Sequence, residues 1–289
     1  MIKVEHLSHS YNDDNNYAVK DISFHVKKGE IFGFLGPSGA GKSTTQNILT
    51  GLLALKEGKV LVNGIDIKKE DKNRFNEIGV SFEQSNLYSK LSAIDNLKYY
   101  AELFDVETRN PLDLIKSVGL EGKEKLKVKE YSKGMKHRLT FARSLINNPK
   151  LWFLDEPTTG LDPAISSSIK DIIREENQKG TTVFLTTHNM QIAEELCDRV
   201  AFIVDGEIKL IDTPKNLKLK YGKKEVDVEY RLDNQIVKES LNLLDKVAMA
   251  RLNEITTNYE VITMHTAEAS LEEIFVKVTG KVLNHENYQ

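Results

Sequence analysis

Two short stretches of this 289-residue chain combine residue types that could handle a phosphorylated ligand. Gly36-Pro37-Ser38-Gly39-Ala40-Gly41-Lys42-Ser43 fits G-x-x-x-x-G-K-[ST], a phosphate-binding loop. Its glycines let backbone N–H groups turn inward around phosphates. A helix opening at Lys42, Ser43 and Thr44 would offer its positive end to the same anion. Lys42 is placed to reach the β- and γ-phosphates of a nucleotide, and the Ser43 hydroxyl to ligate Mg²⁺. The second stretch is "LWFLDE". Asp155, closing a buried strand, is suited to hold Mg²⁺ through water. Glu156 beside it is suited to take a proton from an attacking water.

These groups need a scaffold that brings them together, and the apolar patterning supplies one. "IFGFL", "LWFLD" and "TVFLTT" are continuous apolar runs, the mark of strands covered on both faces. Helical patterns separate them, "TTQNILTGLL" first and a stretch from Ser92 to Leu145 next. Buried strands alternating with helices predict an α/β fold with a parallel sheet and helices on both faces. "MIKVEHL" and "AVKDISFHV" alternate instead, as half-buried antiparallel strands do. Asn63-Gly64 and Asp205-Gly206 sit between apolar runs as hairpin turns.

Bulk properties narrow the function classes. A net charge of −3 gives no basic surplus for wrapping nucleic acid, so none is expected as a partner. Cys197 is the only cysteine, which excludes an internal disulfide and reads as a small buried apolar residue. No run approaches the roughly 20 apolar residues that a membrane-spanning helix needs. The start "MIKVEHLSHSY" lacks a signal-peptide pattern, which predicts a chain that stays in the cytosol unless another protein holds it at a membrane.

A third stretch decides between kinds of nucleotide-binding protein. "YSKGMKHRL", Tyr131–Leu139, resembles the signature motif of ABC ATPases. Other marks of that family follow in its order: Tyr11 as the aromatic that stacks on adenine, Gln84 as the Q-loop, Thr159–Asp162 as the D-loop and His188 as the switch histidine. The resemblance covers about residues 2–215. It implies a P-loop NTPase (RecA-like) core with an antiparallel β subdomain and a helical signature subdomain over about 88–145. It also implies that Gln84 ligates Mg²⁺, and that His188 contacts the γ-phosphate and steadies the attacking water. Ser132 and Gly134 would grip the γ-phosphate held by a second copy of the cassette, and Asp162 would cross that interface. One position departs: Lys133 stands where the family's Leu-Ser-Gly-Gly-Gln has glycine. Its cation either clamps phosphate or points into solvent.

The resemblance therefore implies an ATP- and Mg²⁺-dependent ATPase that works as a pair of cassettes on a separate membrane permease, at the cytoplasmic face of the membrane. A non-transport ABC ATPase acting on a macromolecular partner is the alternative. A single cassette, only a compact helical region between Ser43 and Tyr131, and no Asn-Lys-x-Asp motif set it apart from tandem translation factors, coiled-coil chromosome ATPases and GTPases. Residues 216–289 read as a small α+β appendage: "KKEVDVEYRL" a strand, "NQIVKESLNLL" a helix, "NYEVITMHT" a strand and "ASLEEIFVKVTG" an amphipathic helix. Its last segment, Ser270–Gly280, and "TPKNLK" resemble the tails of bacterial cassettes serving drug and antibiotic exporters. Export is therefore the expected direction.

Overall fold

A computed structural model describes residues 1–12, 16–69, 72–222, 224–266 and 269–282. The chain divides into two compact units, Met1–Asp212 and Thr213–Val282.

In the first unit, the alternating runs become β1 (Ile2–Ser10) and β2 (Tyr17–Val26), paired antiparallel. The buried run β3 (Ile31–Leu35) follows and leads through the glycine loop into α1 (Lys42–Thr50). A hairpin of β4 (Glu57–Val62) and β5 (Ile65–Asp66) extends the first pair into a four-stranded sheet, ordered β2-β1-β4-β5. β6 (Ile78–Ser81) precedes three helices, α2 (Ala93–Ala101), α3 (Pro111–Ser117) and α4 (Lys133–Arg143). Then come β7 (Leu151–Asp155), α5 (Pro163–Gln178), β8 (Thr182–Thr187), α6 (Met190–Leu196), β9 (Arg199–Val204) and β10 (Glu207–Asp212). The central sheet is ordered β10-β9-β3-β8-β7-β6. Its neighbours are parallel except the β9-β10 hairpin. Because β3, β7 and β8 run side by side in one direction, their carboxyl ends place Gly36, Asp155 and Thr187 along one sheet edge. Ligands of open α/β sheets bind there.

Aromatic packing fixes one sheet on the other. Phe24 of β2 stacks on Phe32 at 5.7 Å and meets Phe34 at 5.4 Å, both in β3. Phe184 of β8 completes the group at 6.1 Å from Phe32. Each such pair adds about 0.5–1.5 kcal/mol beyond its buried area, enough to hold β1, and Tyr11 just after it, at a set place beside α1. The signature helix is tied down similarly. Trp152 Nε1 donates to Ser144 Oγ at 2.8 Å, and its ring meets Phe141 at 5.0 Å, locking α4 onto β7. Arg143 donates to Asn86 O at 3.0 Å and lies 4.7 Å from the Tyr100 ring centroid, joining α4 to the segment after β6 and to α2. Cys197 is buried, and burial pushes its thiol pKa up.

The second unit holds α7 (Pro214–Tyr221), β11 (Glu225–Leu232), β12 (Gln235–Asn242), α8 (Lys246–Asn258), β13 (Glu260–Thr266) and α9 (Leu271–Thr279). Its sheet is ordered β12-β11-β13 and packs Val226, Val228, Tyr230 and Leu241 against Ile255 of α8. One expectation needs correction. The segment "NQIVKESLNLL" is a strand, not a helix. Asp233 and Asn234 take φ of 47° and 65°, the two left-handed residues of a tight hairpin, and Leu232 pairs with Gln235 across it. The compact units divide between Asp212 and Thr213, beside the expected boundary at 215/216, and the Thr213 side chain caps α7 by accepting from Asn216 N–H at 3.0 Å. Residues 283–289 of the expected appendage lie outside the described residues.

Candidate active site

The glycine loop turns sharply from β3 into α1. Gly41 is the N-cap of α1 with φ +104°, and no side chain caps the helix. A Cβ at Gly41 would lie 2.5 Å from Ala18 O, and one at Gly36 2.2 Å from Ile203 O, so neither position accepts a side chain. The uncapped first turn of α1 presents its N–H groups to a cavity of about 810 Å³. That is a cradle for an anion. Ser38, Gly39, Gly41, Lys42, Ser43 and Thr44 line it, while Gly36, Pro37 and Ala40 shape the turn behind. Lys42 is buried, and its Nζ donates to Gly36 O at 2.7 Å and Pro37 O at 2.9 Å. Burial lowers its pKa, against the opposing pull of Glu156, Asp155 and Glu83.

Asp155 ends β7 opposite Thr186 of β8, whose hydroxyl donates to Asp155 Oδ1. Burial raises the Asp155 pKa; the Thr186 hydrogen bond works against it, and the charges of Glu156 and Glu83 add to it. Glu156 follows in a left-handed backbone conformation, φ +49°, costly for a residue with a Cβ. Its buried carboxylate accepts four hydrogen bonds. These come from Thr187 Oγ1 at 2.9 Å, Thr159 Oγ1 at 3.0 Å, the His188 backbone N–H at 2.9 Å and His188 Nδ1 at 2.7 Å. Burial by itself would raise the Glu156 pKa, but the His188 hydrogen bond and charge, Lys42 and Thr187 together hold it below the ordinary carboxylate value. The same hydrogen bond raises His188 above the ordinary imidazole value, with burial opposing. Because a carboxylate only accepts, Nδ1 carries the proton.

Tyr11 also lines this cavity. Tyr11 is 61% exposed, its ring lies roughly perpendicular to that of His9 with centroids 5.1 Å apart, and its hydroxyl lies 3.0 Å from Thr44 Oγ1. An open aromatic face beside the phosphate cradle fits a stacking platform for a base.

The remaining expected residues sit elsewhere. Ser132 is the N-cap of α4, accepting from Met135 N–H at 3.2 Å. Gly134 and Lys133 line a neighbouring cavity of about 380 Å³. Asp162 caps α5, accepting from Ile165 N–H at 3.0 Å, and is exposed. Gln84 sits in the bend that follows β6. It lines the neighbouring cavity and not the one around the glycine loop; the preceding residue, Glu83, lines both. Thr186 and Thr187, which with Thr159 of the D-loop orient the two carboxylates, are absent from the sequence reading. The "TT" directly before His188 was the available signal, since hydroxyls at the end of a buried strand must find acceptors.

A family model described as "ABC transporter" matches residues 19–159. A fluoroquinolones export ATP-binding protein of Mycobacterium tuberculosis is 46% identical over 98% of this chain and 94% of its own length. The chain belongs to the ABC transporter family. The linearmycin resistance ATP-binding protein of Bacillus subtilis is 30% identical over 98% of this chain and 99% of its own. A solved ATP-binding cassette, dimeric and bound to ADP and Pi after hydrolysis, superposes with TM-score 0.68 at 28% identity, covering 74% of this chain and 98% of its own. The ABC chain described here is thus an ATP-binding, ATP-hydrolysing transporter subunit, and its core is the cassette fold. Among its described residues no helix is long and apolar enough to cross a membrane.

Proposed function

We propose that this ABC subunit powers outward movement of a drug-like or antibiotic molecule through a separate membrane-spanning permease, working as a pair at the cytoplasmic face of the membrane. The reading rests on the relatives named for fluoroquinolone export and linearmycin resistance, whose similarity spans 98% of this chain and so takes in the C-terminal unit as well as the cassette. That coverage favours export over the non-transport alternative.

The chemistry rests on one arrangement: Glu156, held ionised by His188, beside buried Lys42 and the open end of α1. ATP lies with its phosphates on the N–H groups of Gly39–Thr44 and its base against Tyr11. Lys42 meets the β- and γ-phosphates. Glu156 accepts the proton of the attacking water, and His188 fixes the carboxylate while its own ring faces the γ-phosphate. Ser43 and Asp155 present hydroxyl and carboxylate oxygens, the hard donors that suit Mg²⁺. When bound, Mg²⁺ would neutralise charge developing on the phosphate oxygens. Among the described residues no three His, Cys, Asp or Glu side chains form a ready-made metal site, so a bound Mg²⁺ would draw its other donors from the nucleotide, water or neutral side chains.

Ser132 and Gly134 open α4 away from the glycine loop of their own chain. In a head-to-tail pair they reach the γ-phosphate held by the other copy. Asp162, at the start of α5, borders the same interface. ATP then joins the halves, and hydrolysis releases them. The test is paired. Phosphate release by the purified chain and ATP-dependent efflux of a fluoroquinolone from cells carrying it with its permease should both vanish in Lys42→Ala. Efflux that survives the loss of hydrolysis would overturn the proposal.

A further inference from the structure

Helices α4 and α5 are brought together at both ends. At their starts, Lys133 and Gly134 of α4 share a cavity wall with Thr159 and Gly160, which lead into Asp162 at the head of α5. At their far ends one residue ties them. Arg109, between α2 and α3, presents its guanidinium to Glu176 in the last turn of α5. Nη1 donates to Oε1 at 2.9 Å and Nη2 to Oε2 at 2.5 Å. Its Nε donates to Asn148 Oδ1 at 2.7 Å and its backbone N–H to Ile146 O at 2.8 Å, both just past the end of α4. The Glu176 side chain is 4% exposed. Burial by itself would raise its pKa, yet the hydrogen bonds from Arg109 and Lys179 hold it below the ordinary carboxylate value. An ion pair this buried adds little net stability over apolar groups of the same shape, because desolvation offsets the attraction. What the fork adds is direction, since two parallel bonds fix the guanidinium plane on the carboxylate plane.

We infer that Arg109, through its fork on Glu176, is a positioning residue for ATP hydrolysis: it pins the far ends of α4 and α5 and so sets where Ser132 and Gly134 meet the ATP of a second copy. The inference rests on the head-to-tail pair proposed above. With 11 residues, α4 is about 16 Å long, and a swing of about 4° at its pinned end carries Ser132 about 1 Å. Misplacement on that scale can cost a reaction about 10²-fold. Neither Arg109 nor Glu176 lines the glycine-loop cavity. Loosening the fork therefore harms the site shared by two copies and spares nucleotide binding by each one.

The experiment uses the full-length protein and three variants. Glu176→Gln keeps the shape of the side chain without its charge, and Arg109→Lys keeps the charge without the fork. Glu30→Gln is the control: it weakens a similarly buried pair with Arg199, 3.1 Å apart, at the amino end of β3. In the first two variants kcat for ATP hydrolysis should fall about 10- to 100-fold, with unchanged affinity for a fluorescent N-methylanthraniloyl ATP. Glu30→Gln should lower the melting temperature and leave kcat alone. Added to Glu156→Gln, Arg109→Lys should raise by about tenfold the ATP concentration at which half the protein elutes as a dimer. Wild-type kcat in both Arg109→Lys and Glu176→Gln overturns the inference. So does an equal fall in Glu30→Gln, which would trace the loss to general destabilisation, or a fall matched by lost probe affinity. If Glu156→Gln by itself never dimerises with ATP, the paired reading fails first and takes this one with it.

Discussion

Glu156 and His188 face each other across a 2.7 Å hydrogen bond, one at the end of β7 and the other at the end of β8. The pairing moves their proton affinities apart, the carboxylate downward and the imidazole upward. A carboxylate that stays ionised, held by the imidazole N–H, suits a site that must deprotonate water next to a polyanion.

Glu156→Gln keeps the side chain's size and can still accept hydrogen bonds through its amide oxygen, but it cannot take a proton. Hydrolysis should fall by about 10²–10⁴-fold while Mg-ATP binding persists. With ATP the variant should elute from a sizing column as a dimer, and with ADP as a monomer. Hydrolysis at the wild-type rate would show that Glu156 is not the base.

The pair also predicts a pH signature in stability. The His188 pKa is raised on folding, so its contribution is full below its ordinary value of 6.5 and is lost as pH rises through the folded value. The Glu156 pKa is lowered, so its contribution is present above its ordinary 4.5 and is lost as pH falls through the folded value. The melting temperature of wild type should therefore exceed that of His188→Gln most between those two values, and the gap should narrow toward alkaline pH. A gap that widens as pH rises above 6.5 would contradict the pairing.

Gly41→Ala should destabilise the first unit. Its Cβ would meet Ala18 O at 2.5 Å on a backbone with φ +104°, and positive-φ strain alone costs about 1–3 kcal/mol. Thermal melts measure this loss, and ATP affinity should drop with it because the loop must shift to relieve the clash.

Tyr11→Ala should weaken ATP binding by about 1–3 kcal/mol, the usual worth of a base stacked on an aromatic ring. With the ring 61% exposed, the melting temperature of the nucleotide-free protein should barely move. A large drop in melting temperature with unchanged affinity would mean that Tyr11 serves packing. Tyr17 at the start of β2 would then be the aromatic to test next.

A chain ending at Asp212 should still bind ATP. Every residue that lines the glycine-loop cavity belongs to the first unit, which has its own core from Ile2 through Ile203. Loss of binding in a truncated form that retains its circular dichroism spectrum would count against that independence.

Much of this protein was legible without coordinates, because its chemistry is local in sequence. The glycine loop is one continuous turn between a strand and a helix, and Asp155-Glu156 directly closes a strand, so spacing alone pointed to them as candidates. The continuous apolar runs of β3, β7 and β8 likewise announced a sheet covered on both faces. What lay beyond the sequence depends on direction and on partners distant along the chain. That Glu83 borders both cavities and Gln84 only one depends on the course of the bend after β6, and only packing sets that. The threonines that hold Asp155 and Glu156 come from β8 and from the turn before α5, across strand pairings that no local pattern encodes. In the second unit, "NQIVKESLNLL" has enough helix formers to read as a helix, yet β11 offers it a full ladder of hydrogen bonds through the Asp233-Asn234 turn. Tertiary pairing outweighed local propensity there, as it does wherever a neighbouring strand supplies more than the segment can supply for itself.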